Sequence, residues 1–329
     1  MSSAVTPVAP GHSGSQRGGS RRKRLDLFGD RALFAICLLA AILAGVVIAL
    51  VAYQVIDGAS EAISKFGLSF ITDTKWQPNF KVFGAGALLY GTAVTSAFAL
   101  VVGAPIAIAI ALFLTLLAPK GIGAVIGPLV ELLAAIPSVI LGFWGLVILA
   151  PFAKSTLEPF LHSTFGFLPI FGEPQTTGLS IFTASLILVI MVIPIIASIS
   201  RDLFRSVPRE LQDGASALGA TRWEVVRGVV LPTTASGVVA ASILGLGRAL
   251  GEAIAVSQVI GAGSEIHTNL FLPGDTLASR IAVQFPGHLN DLHASALFYC
   301  GLILLVIGLV ANLLAQWIGR RFSYRGAAP

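Results

Sequence analysis

Residues 235–263 read ASGVVAASILGLGRALGEAIAVSQVIGAG, and this run contains only two charged residues, Arg248 and Glu252. The run exceeds the roughly 20 apolar residues that a helix needs to cross a bilayer. An ionisable side chain is costly in hydrocarbon, so one that occurs there marks a substrate path or a buried pair. The stretch therefore predicts a transmembrane helix that handles a charged molecule.

The composition of the whole chain agrees with a membrane protein. Of its 329 residues, 55% are hydrophobic and 11% are charged, and the mean hydropathy is +0.88. Soluble domains carry about 25% charged residues. A membrane β-barrel would show alternating segments of about 10 residues, and we find none in the sequence. We therefore expect an all-α membrane protein.

The long apolar runs predict six transmembrane helices within a membrane domain at 31–318. The basic, Ser- and Gly-rich tail 1–30 is predicted to be disordered, and 319–329 forms a C-terminal tail. Both tails and the loop 200–232 are basic, so the positive-inside rule and the even helix count predict that they face the cytoplasm. Segments 151–178 and 263–291 are predicted to be external loops. The predicted spans are 31–54, 83–118, 122–150, 179–199, 235–262 and 292–318.

Motifs for a bound cofactor or metal are absent from the sequence. It lacks the Gly-x-x-x-x-Gly-Lys-Ser/Thr loop that holds nucleotide phosphates, so we expect this chain not to hydrolyse ATP. Cys37 and Cys300 lie in apolar runs and predict no disulfide or metal site. The basic tail adjoins the first span and needs no nucleic-acid partner to explain it. We therefore expect no cofactor on this chain.

The loop 200–232 predicts two short helices. Pro208 can start the first helix and Gly219 can end it, whereas the second is expected to start at Thr221 and to be broken by Pro232. Such a pair of helices could dock in a groove of a partner protein. It could equally be an amphipathic loop on the membrane surface, and physical reasoning alone leaves both interpretations open.

The same loop resembles the membrane subunits of binding-protein-dependent ABC importers. Their pattern is Glu-Ala-Ala, three residues, Gly, nine residues, then Ile-x-Leu-Pro. This chain has Asp213-Gly214-Ala215, Gly219 and Val229-Val230-Leu231-Pro232 at the same spacing. It departs from the pattern by Asp for Glu, Gly for the first Ala and Val for Ile. The resemblance implies that the loop inserts into a cleft of an ATPase subunit. The coupling residues so predicted are Glu210, Asp213, Gly214, Ala215, Gly219, Val229, Leu231 and Pro232.

Arg248 and Glu252 are four residues apart, so on one helix they would share a face with Ala241, Gly245 and Ala255. One interpretation is a static ion pair that fixes helix packing. The other is that Arg248 presents a positive charge to an oxyanion in transit, because a guanidinium fork matches oxyanion geometry. Glu252 would then hold Arg248 in position. The substrate-path residues predicted from the second interpretation are Arg248, Glu252, Gly245 and Gly251.

Four segments resemble phosphate importer permeases, and the Phe143-Trp144-Gly145 step favours the PstC type over its PstA partner. In that family a charged pair in the fifth span corresponds to Arg248 and Glu252. Ala253 stands where Thr is common. The segments are LSFITDTKWQP (68–78), LLAAIPSVILGFWGL (132–146), GLGRALGEAIAV (245–256) and LPGDTLASRIAVQF (272–285).

The resemblance implies a type I ABC importer permease fold in the plasma (inner) membrane. It implies half of a translocation path for inorganic phosphate, with a PstA-like permease, a PstB-like ATPase dimer and a PstS-like phosphate-binding protein as partners. ATP and Mg would be used by the ATPase, not by this chain. Three alternatives remain open at this point. They are a permease for another oxyanion such as sulfate or molybdate, an ion-coupled transporter or channel, and a membrane scaffold that relays phosphate status to a sensor kinase.

Overall fold

The first helix is longer than predicted. A computed structural model describes residues 19–322, and helix α1 runs from Gly19 to Phe66. Of the tail 1–30 that was predicted to be disordered, residues 1–18 lie outside the described residues, whereas 19–30 belong to α1, where Arg, Lys and Leu favour helix. Residues up to Gln54 form one unit of the chain, and those from Val55 form a second. In the first unit the apolar side chains of 33–53 are largely exposed, as expected of a span that faces lipid.

Six helical stretches within residues 19–322 are long and apolar enough to cross a membrane. The predicted helical class and the predicted number of spans are confirmed, although several boundaries differ. The stretches are Gly29–Phe66, Gly86–Leu117, Ser138–Phe165, Ile181–Ser206, Arg222–Gly251 and Asp291–Ile318.

The second unit contains nine further helices that matter for the site. They are α2 (Gly86–Leu112), α3 (Lys120–Ala134), α4 (Ser138–Trp144), α5 (Ile181–Ser206), α6 (Arg209–Ala217), α7 (Leu231–Gly251), α8 (Ile254–Val259), α9 (Leu277–Gln284) and α10 (Asp291–Phe322). Shorter helical turns lie at Ser69–Thr72, Pro78–Phe80, Ala150–Phe152, Glu158–Phe165, Pro169–Phe171, Arg222–Val225 and Phe285–Gly287. Widened π turns lie at Phe113–Leu117, Gly145–Leu149, Ala153–Leu157 and Val226–Val230.

The predicted third span, 122–150, is divided in the structure. Helix α3 ends at Ala134, and α4 begins after Pro137, whose backbone is extended at ψ 136°. Proline lacks an amide hydrogen and its ring clashes with the preceding turn, which explains the break. The membrane-length stretch then continues to Phe165. It therefore occupies part of the segment 151–178 that was predicted to be an external loop.

The predicted loop 200–232 is mostly helical. Helix α5 continues through Ser206, and α6 follows Pro208. Thr221 caps the next helix in a capping box with Glu224, as the start predicted at Thr221 requires. Pro232 does not break this helix, which runs on to Gly251. Pro232 stands in the first turn after the π turn Val226–Val230, where its missing amide hydrogen is tolerated.

The core of the second unit is built around α5. Helices α2, α3 and α7 pack along α5, and α7 also packs against α10. Buried apolar side chains form one large cluster between α2 and α5, and a smaller one where Phe204 and Val230 meet near α6. A third cluster joins Phe70, Trp76 and Tyr299 beside α9. This packing fixes the positions of α5 and α7, which carry the charged residues discussed below.

Candidate functional site: a charged cleft at a helix break

The helix that carries Arg248 stops one turn after it. Helix α7 ends at Gly251, and Glu252 has extended backbone at φ −73° and ψ 114°. Helix α8 then starts at Ile254. The predicted continuous span 235–262 is therefore interrupted, and Ala255 no longer continues the predicted stripe of one helix. Arg248 therefore lies in the last turn of α7 and Glu252 lies at the break itself, where backbone groups lack helical hydrogen-bond partners.

Glu252 stabilises this break. Its Oε1 accepts a hydrogen bond of 3.2 Å from the backbone N–H of Ala255, in the first turn of α8. A carboxylate is a good acceptor for the unpaired N–H groups at a helix start. The Glu252 side chain is only 8% exposed. Glu252 thus has a structural role that the sequence did not suggest.

The Arg248–Glu252 ion pair is loose. Arg248 Nη2 lies 3.8 Å from Glu252 Oε2, and 39% of the Arg248 side chain is exposed. An ion pair at this separation is not a short charge-assisted hydrogen bond, which measures about 2.7–2.9 Å. The guanidinium is therefore held near a carboxylate but keeps an accessible face.

Arg248 opens onto a cleft of about 510 Å³, which we call the Arg248 cleft. The cleft has open space at Gly247 and Gly251, where no atom lies within 4 Å of an added Cβ. Gly245 differs, because its Cβ would lie 2.7 Å from Ile196 Cδ1, so it lets α7 pack on α5. The structure therefore brings the predicted residues Arg248, Glu252 and Gly251 together and leaves Gly245 outside. The cleft is lined by Ile195, Leu244, Gly247, Arg248, Gly251 and Glu252.

Two glycines of the 132–146 segment, Gly142 and Gly145, pack closely against α8 and α5. A Cβ at Gly142 would lie 2.8 Å from Ala255 Cα, and one at Gly145 would lie 2.7 Å from Ile187 Cδ1. Only glycine permits such a close approach of α4 to α8 at Gly142, and of the following π turn to α5 at Gly145. Phe143 and Trp144, between them, are exposed. This part of the sequence resemblance therefore corresponds to a packing joint that positions the capped end of α8.

A second charged pair lies near the Arg248 cleft, and neither of its residues was predicted as a site residue. Arg201 on α5 forms an ion pair with Glu131 on α3. Glu131 borders a smaller cleft of about 400 Å³, and Ile195 lines both clefts. The rule that singled out Arg248 could have found Glu131, because it too is an isolated charge in an apolar run.

The predicted coupling residues lie on two different surfaces. Helix α6 has no buried residue, and Leu218 at its end is 91% exposed. Gly219 adopts a left-handed φ of +89°, which ends α6 sharply. Asp213 instead lines a groove beside Arg222 and the π turn that follows α2. The remaining predicted positions are exposed at Glu210, Gly214 and Pro232 and partly buried at Ala215, Val229 and Leu231.

Two of the quoted segments meet in a buried network outside the spans. Arg280 Nε lies 2.6 Å from Asp275 Oδ2, and the two side chains are 6% and 5% exposed. The Arg280 guanidinium also lies over the Trp76 ring, and Trp76 Nε1 donates a 2.8 Å hydrogen bond to Gln284 Oε1. Burial raises the pKa of Asp275, and the nearby Arg280 charge opposes that rise. The segments 68–78 and 272–285 therefore form a structural joint.

Comparisons with known proteins agree with this architecture. The family described as binding-protein-dependent transport system inner membrane component matches residues 103–324. The phosphate transport system permease protein PstC of Mesorhizobium japonicum is 41% identical over 330 residues, which cover 99% of this chain and 100% of that protein. PstC of Haemophilus influenzae is 42% identical over 288 residues, or 87% of this chain and 88% of the relative.

Solved structures share the fold at lower identity. A chain of a bacterial alginate ABC transporter, in complex with a periplasmic protein, superposes with a TM-score of 0.60 at 20% identity and covers 92% of this chain and 98% of its own. A chain of the MetNI methionine ABC transporter superposes with a TM-score of 0.51 at 21% sequence identity. The match covers 73% of this chain and 95% of the MetNI chain. The chain therefore belongs to the family of binding-protein-dependent transport system inner membrane components, among the PstC phosphate transport permeases, and is a multi-pass inner-membrane transporter component with an ABC importer permease fold.

Proposed function

We propose that this chain forms half of the membrane path of an ATP-driven phosphate importer, and that phosphate contacts Arg248 during its passage. One observation carries the proposal. A partly exposed guanidinium faces a cleft at a break in a membrane helix, and its only described ionic partner is a carboxylate 3.8 Å away. Fixed positive charge in a membrane is rare and marks ion pathways. The 41% identical relative is a phosphate transport system permease.

The chemistry of the Arg248 cleft suits a transported oxyanion. Guanidinium N–H groups bind oxyanion oxygens in a forked arrangement. The open space at Gly247 and Gly251 leaves the guanidinium accessible. Glu252 stays close enough to attract the guanidinium after the anion leaves, so it favours release. A transport site must release its cargo as well as bind it.

Glu252 also favours phosphate over a fully ionised oxyanion. Phosphate at neutral pH keeps at least one proton, whereas sulfate keeps none. A carboxylate accepts a hydrogen bond from a protonated oxygen, but it repels an anion that has no proton to donate. Sulfate or molybdate transport remains the second candidate, since the Arg248 fork alone accepts any tetrahedral oxyanion.

The coupling to ATP is proposed to pass through α6 and the helix after it. The stretch Arg222–Gly251 is one helix of 30 residues, about 45 Å long, from the cap at Thr221 to the Arg248 cleft. Leu218 is an exposed apolar side chain that an ATPase groove could bury. Closure of the ATPase dimer would then move this helix and expose the cleft to each side of the membrane in turn.

We propose the following assembly and orientation. A PstA-like permease, a PstB-like ATPase dimer and a PstS-like phosphate-binding protein complete the importer. The ATPase uses ATP and Mg, and this chain binds neither. The basic tails 1–30 and 319–329 and the loop 200–232 face the cytoplasm, so the joint around Arg280 faces outward. The membrane domain spans 31–318. The alginate ABC transporter provides a precedent for a complex between this fold and a periplasmic protein.

The test is uptake of radiolabelled phosphate by the reconstituted importer, with ATP hydrolysis measured in the same vesicles. We expect Arg248→Gln to abolish uptake while assembly and hydrolysis persist, and Arg248→Lys to retain part of it. If Arg248→Gln takes up phosphate as fast as the wild type, Arg248 does not contact phosphate on its path. Transport of sulfate or molybdate instead of phosphate would overturn the substrate. Transport without the ATPase would indicate a channel or an ion-coupled transporter.

A further inference from the structure

We propose that Arg201 and Glu131 form a second binding station for the transported oxyanion, between the Arg248 cleft and the coupling end of α5. The proposal rests on the function proposed above. At this station the anion displaces Glu131 from Arg201, and Glu131 displaces the anion on release. Neither residue is among the predicted site residues, and neither lines the Arg248 cleft.

The first support is their alignment along α5. Pro194, Ser198 and Arg201 are four and three residues apart, so they share one face of the helix. Ile195, beside this face, lines both the Arg248 cleft and the cleft bordered by Glu131. Arg201 follows Ile195 by about 9 Å along the helix axis, towards α6. An anion that leaves Arg248 towards the coupling side therefore meets this pair next.

The second support is the asymmetry of the pair. The Arg201 side chain is 10% exposed, whereas the Glu131 side chain is 46% exposed. Arg201 is fixed against α3, because a Cβ at Gly127 would collide with its Nη1. The cation is thus held in place while the carboxylate has room to move away. A static pair would need neither an exposed carboxylate nor an adjoining cleft.

The third support is an unused donor. Arg201 Nε is buried, and no acceptor lies within hydrogen-bonding distance among the side chains that the structure describes between residues 29 and 318. A buried donor without a partner costs about 1–3 kcal/mol and calls for a reason. A tetrahedral anion at the position of the Glu131 carboxylate would have oxygens for both Nη2 and Nε. The described side chains satisfy only the former.

The alternative role of the pair is a clamp that fastens α3 to α5. A clamp and a station predict different mutant patterns. In a clamp, Arg201→Gln and Glu131→Gln break the same contact and have similar effects. In a station their effects on phosphate binding are opposite, because Arg201→Gln removes the anion's ligand, whereas Glu131→Gln removes its competitor.

The experiment has two measurements. Uptake of radiolabelled phosphate is measured with the importer complex reconstituted in vesicles. Equilibrium phosphate binding is measured with the purified complex in nanodiscs, without ATP and without binding protein. We expect Arg201→Gln to lower uptake at least tenfold. We expect Glu131→Gln to bind phosphate severalfold more tightly and to turn over more slowly. Lys75→Gln, which removes an exposed loop charge, is the control for net charge.

Equal losses in the two variants, with phosphate binding unchanged in Glu131→Gln, would overturn the station and support the clamp. The Glu131→Gln binding result decides the matter even if Arg201→Gln fails to assemble. Nanodiscs with and without anionic lipid distinguish free phosphate from lipid headgroups as the ligand. The station would also be overturned if Glu131→Gln bound phosphate differently from the wild type only when anionic lipid is present. If uptake survives in Arg201→Gln but is lost in Arg248→Gln, the station is wrong and the path through Arg248 stands. If the wild type takes up no phosphate, both the station and the proposed phosphate importer are wrong.

Discussion

Arg248–Glu252 and Arg280–Asp275 are both arginine–carboxylate pairs, yet their geometry differs in every respect that matters. In the Arg280 pair the charged atoms are 2.6 Å apart and both side chains are buried. In the Arg248 pair they are 3.8 Å apart and the arginine is 39% exposed. A tight, dry pair holds chain segments together, whereas a loose pair beside a cleft leaves its cation accessible to a ligand.

The surroundings of the two pairs reinforce this difference. Arg280 also lies over Trp76 and donates to Ser264 Oγ at 3.2 Å, so its guanidinium is surrounded by protein. Arg248 has glycines on its open side. The two arginines therefore differ in role because they differ in distance from the carboxylate and in exposure, although each has a carboxylate partner.

Breaking the Arg280 pair has the largest expected effect on stability. Asp275→Asn leaves a buried arginine without a counter-charge, which costs about 3–5 kcal/mol. We expect a lower unfolding temperature of the purified complex, followed by tryptophan fluorescence. Uptake per folded complex should change less than about twofold. An unfolding temperature equal to the wild type would contradict the structural role of this pair.

The double variant Asp275→Leu/Arg280→Met provides the matched control. Burial raises the pKa of Asp275 in spite of Arg280, so desolvation outweighs the attraction. Replacing both charges by apolar groups is therefore expected to restore most of the stability that Asp275→Asn loses. If the double variant is as unstable as the single one, packing rather than charge determines the effect.

Glu252→Gln tests whether the loose pair selects the anion. The amide oxygen can still accept from Ala255 N–H, so folding should persist. The loss of a charged acceptor should reduce the preference for phosphate over sulfate by roughly tenfold to a hundredfold, or about 1.5–3 kcal/mol. Competition between labelled phosphate and sulfate measures this ratio. Glu252→Ala, which also removes the cap, should lose about 1 kcal/mol of stability as well.

Leu218→Ser addresses the proposed ATPase contact. Burying a leucine contributes about 1.5–3 kcal/mol, so its loss should weaken retention of the ATPase subunit roughly tenfold to a hundredfold. Co-purification at increasing dilution measures that retention. Leu289→Ser is the control, because it removes an exposed leucine far from α6 in sequence. Equal retention in Leu218→Ser and wild type would speak against docking at this end of α6.

Gly142→Ala has the smallest expected effect. The new Cβ would lie 2.8 Å from Ala255 Cα, so α4 and α8 must separate slightly, at a cost of about 1 kcal/mol. Gly308→Ala in α10 meets no atom within 4 Å and serves as the matched control. We expect a lower unfolding temperature for the first variant only. The same temperature for both would refute the close approach.

Apolar periodicity and charge predicted the helical class, the six spans and the position of Arg248. They did not predict the break at Glu252, because Glu252 continues the helical pattern in the sequence. Its hydrogen bond from Ala255 N–H exists only when α8 has formed. Pro137 lies inside the predicted third span yet stands between two separate helices, whereas Pro232 was expected to end a helix and is tolerated after a π turn. Such outcomes depend on local hydrogen bonding that residue types alone do not specify.

Contacts between residues that are far apart in the chain could not be predicted from the sequence either. Glu131 and Arg201 are 70 residues apart, and their contact depends on how α3 packs against α5. Gly245 shared the predicted stripe with Arg248 but faces Ile196, because the helix face that packs is fixed by neighbouring helices. The residues that belong to one helix face could be predicted, but not the neighbour that each face would meet.

The transport role of Arg248 and the structural role of Asp275 are best separated by comparing Arg248→Gln with Asp275→Asn in one reconstituted importer. Phosphate uptake is divided by the amount of assembled complex, and the unfolding temperature is measured on the same samples. We expect Arg248→Gln to keep its unfolding temperature and lose uptake, whereas Asp275→Asn loses stability and keeps its uptake per complex. An Arg248→Gln complex that transports normally but unfolds at a lower temperature than the wild type would show that Arg248 is a packing residue.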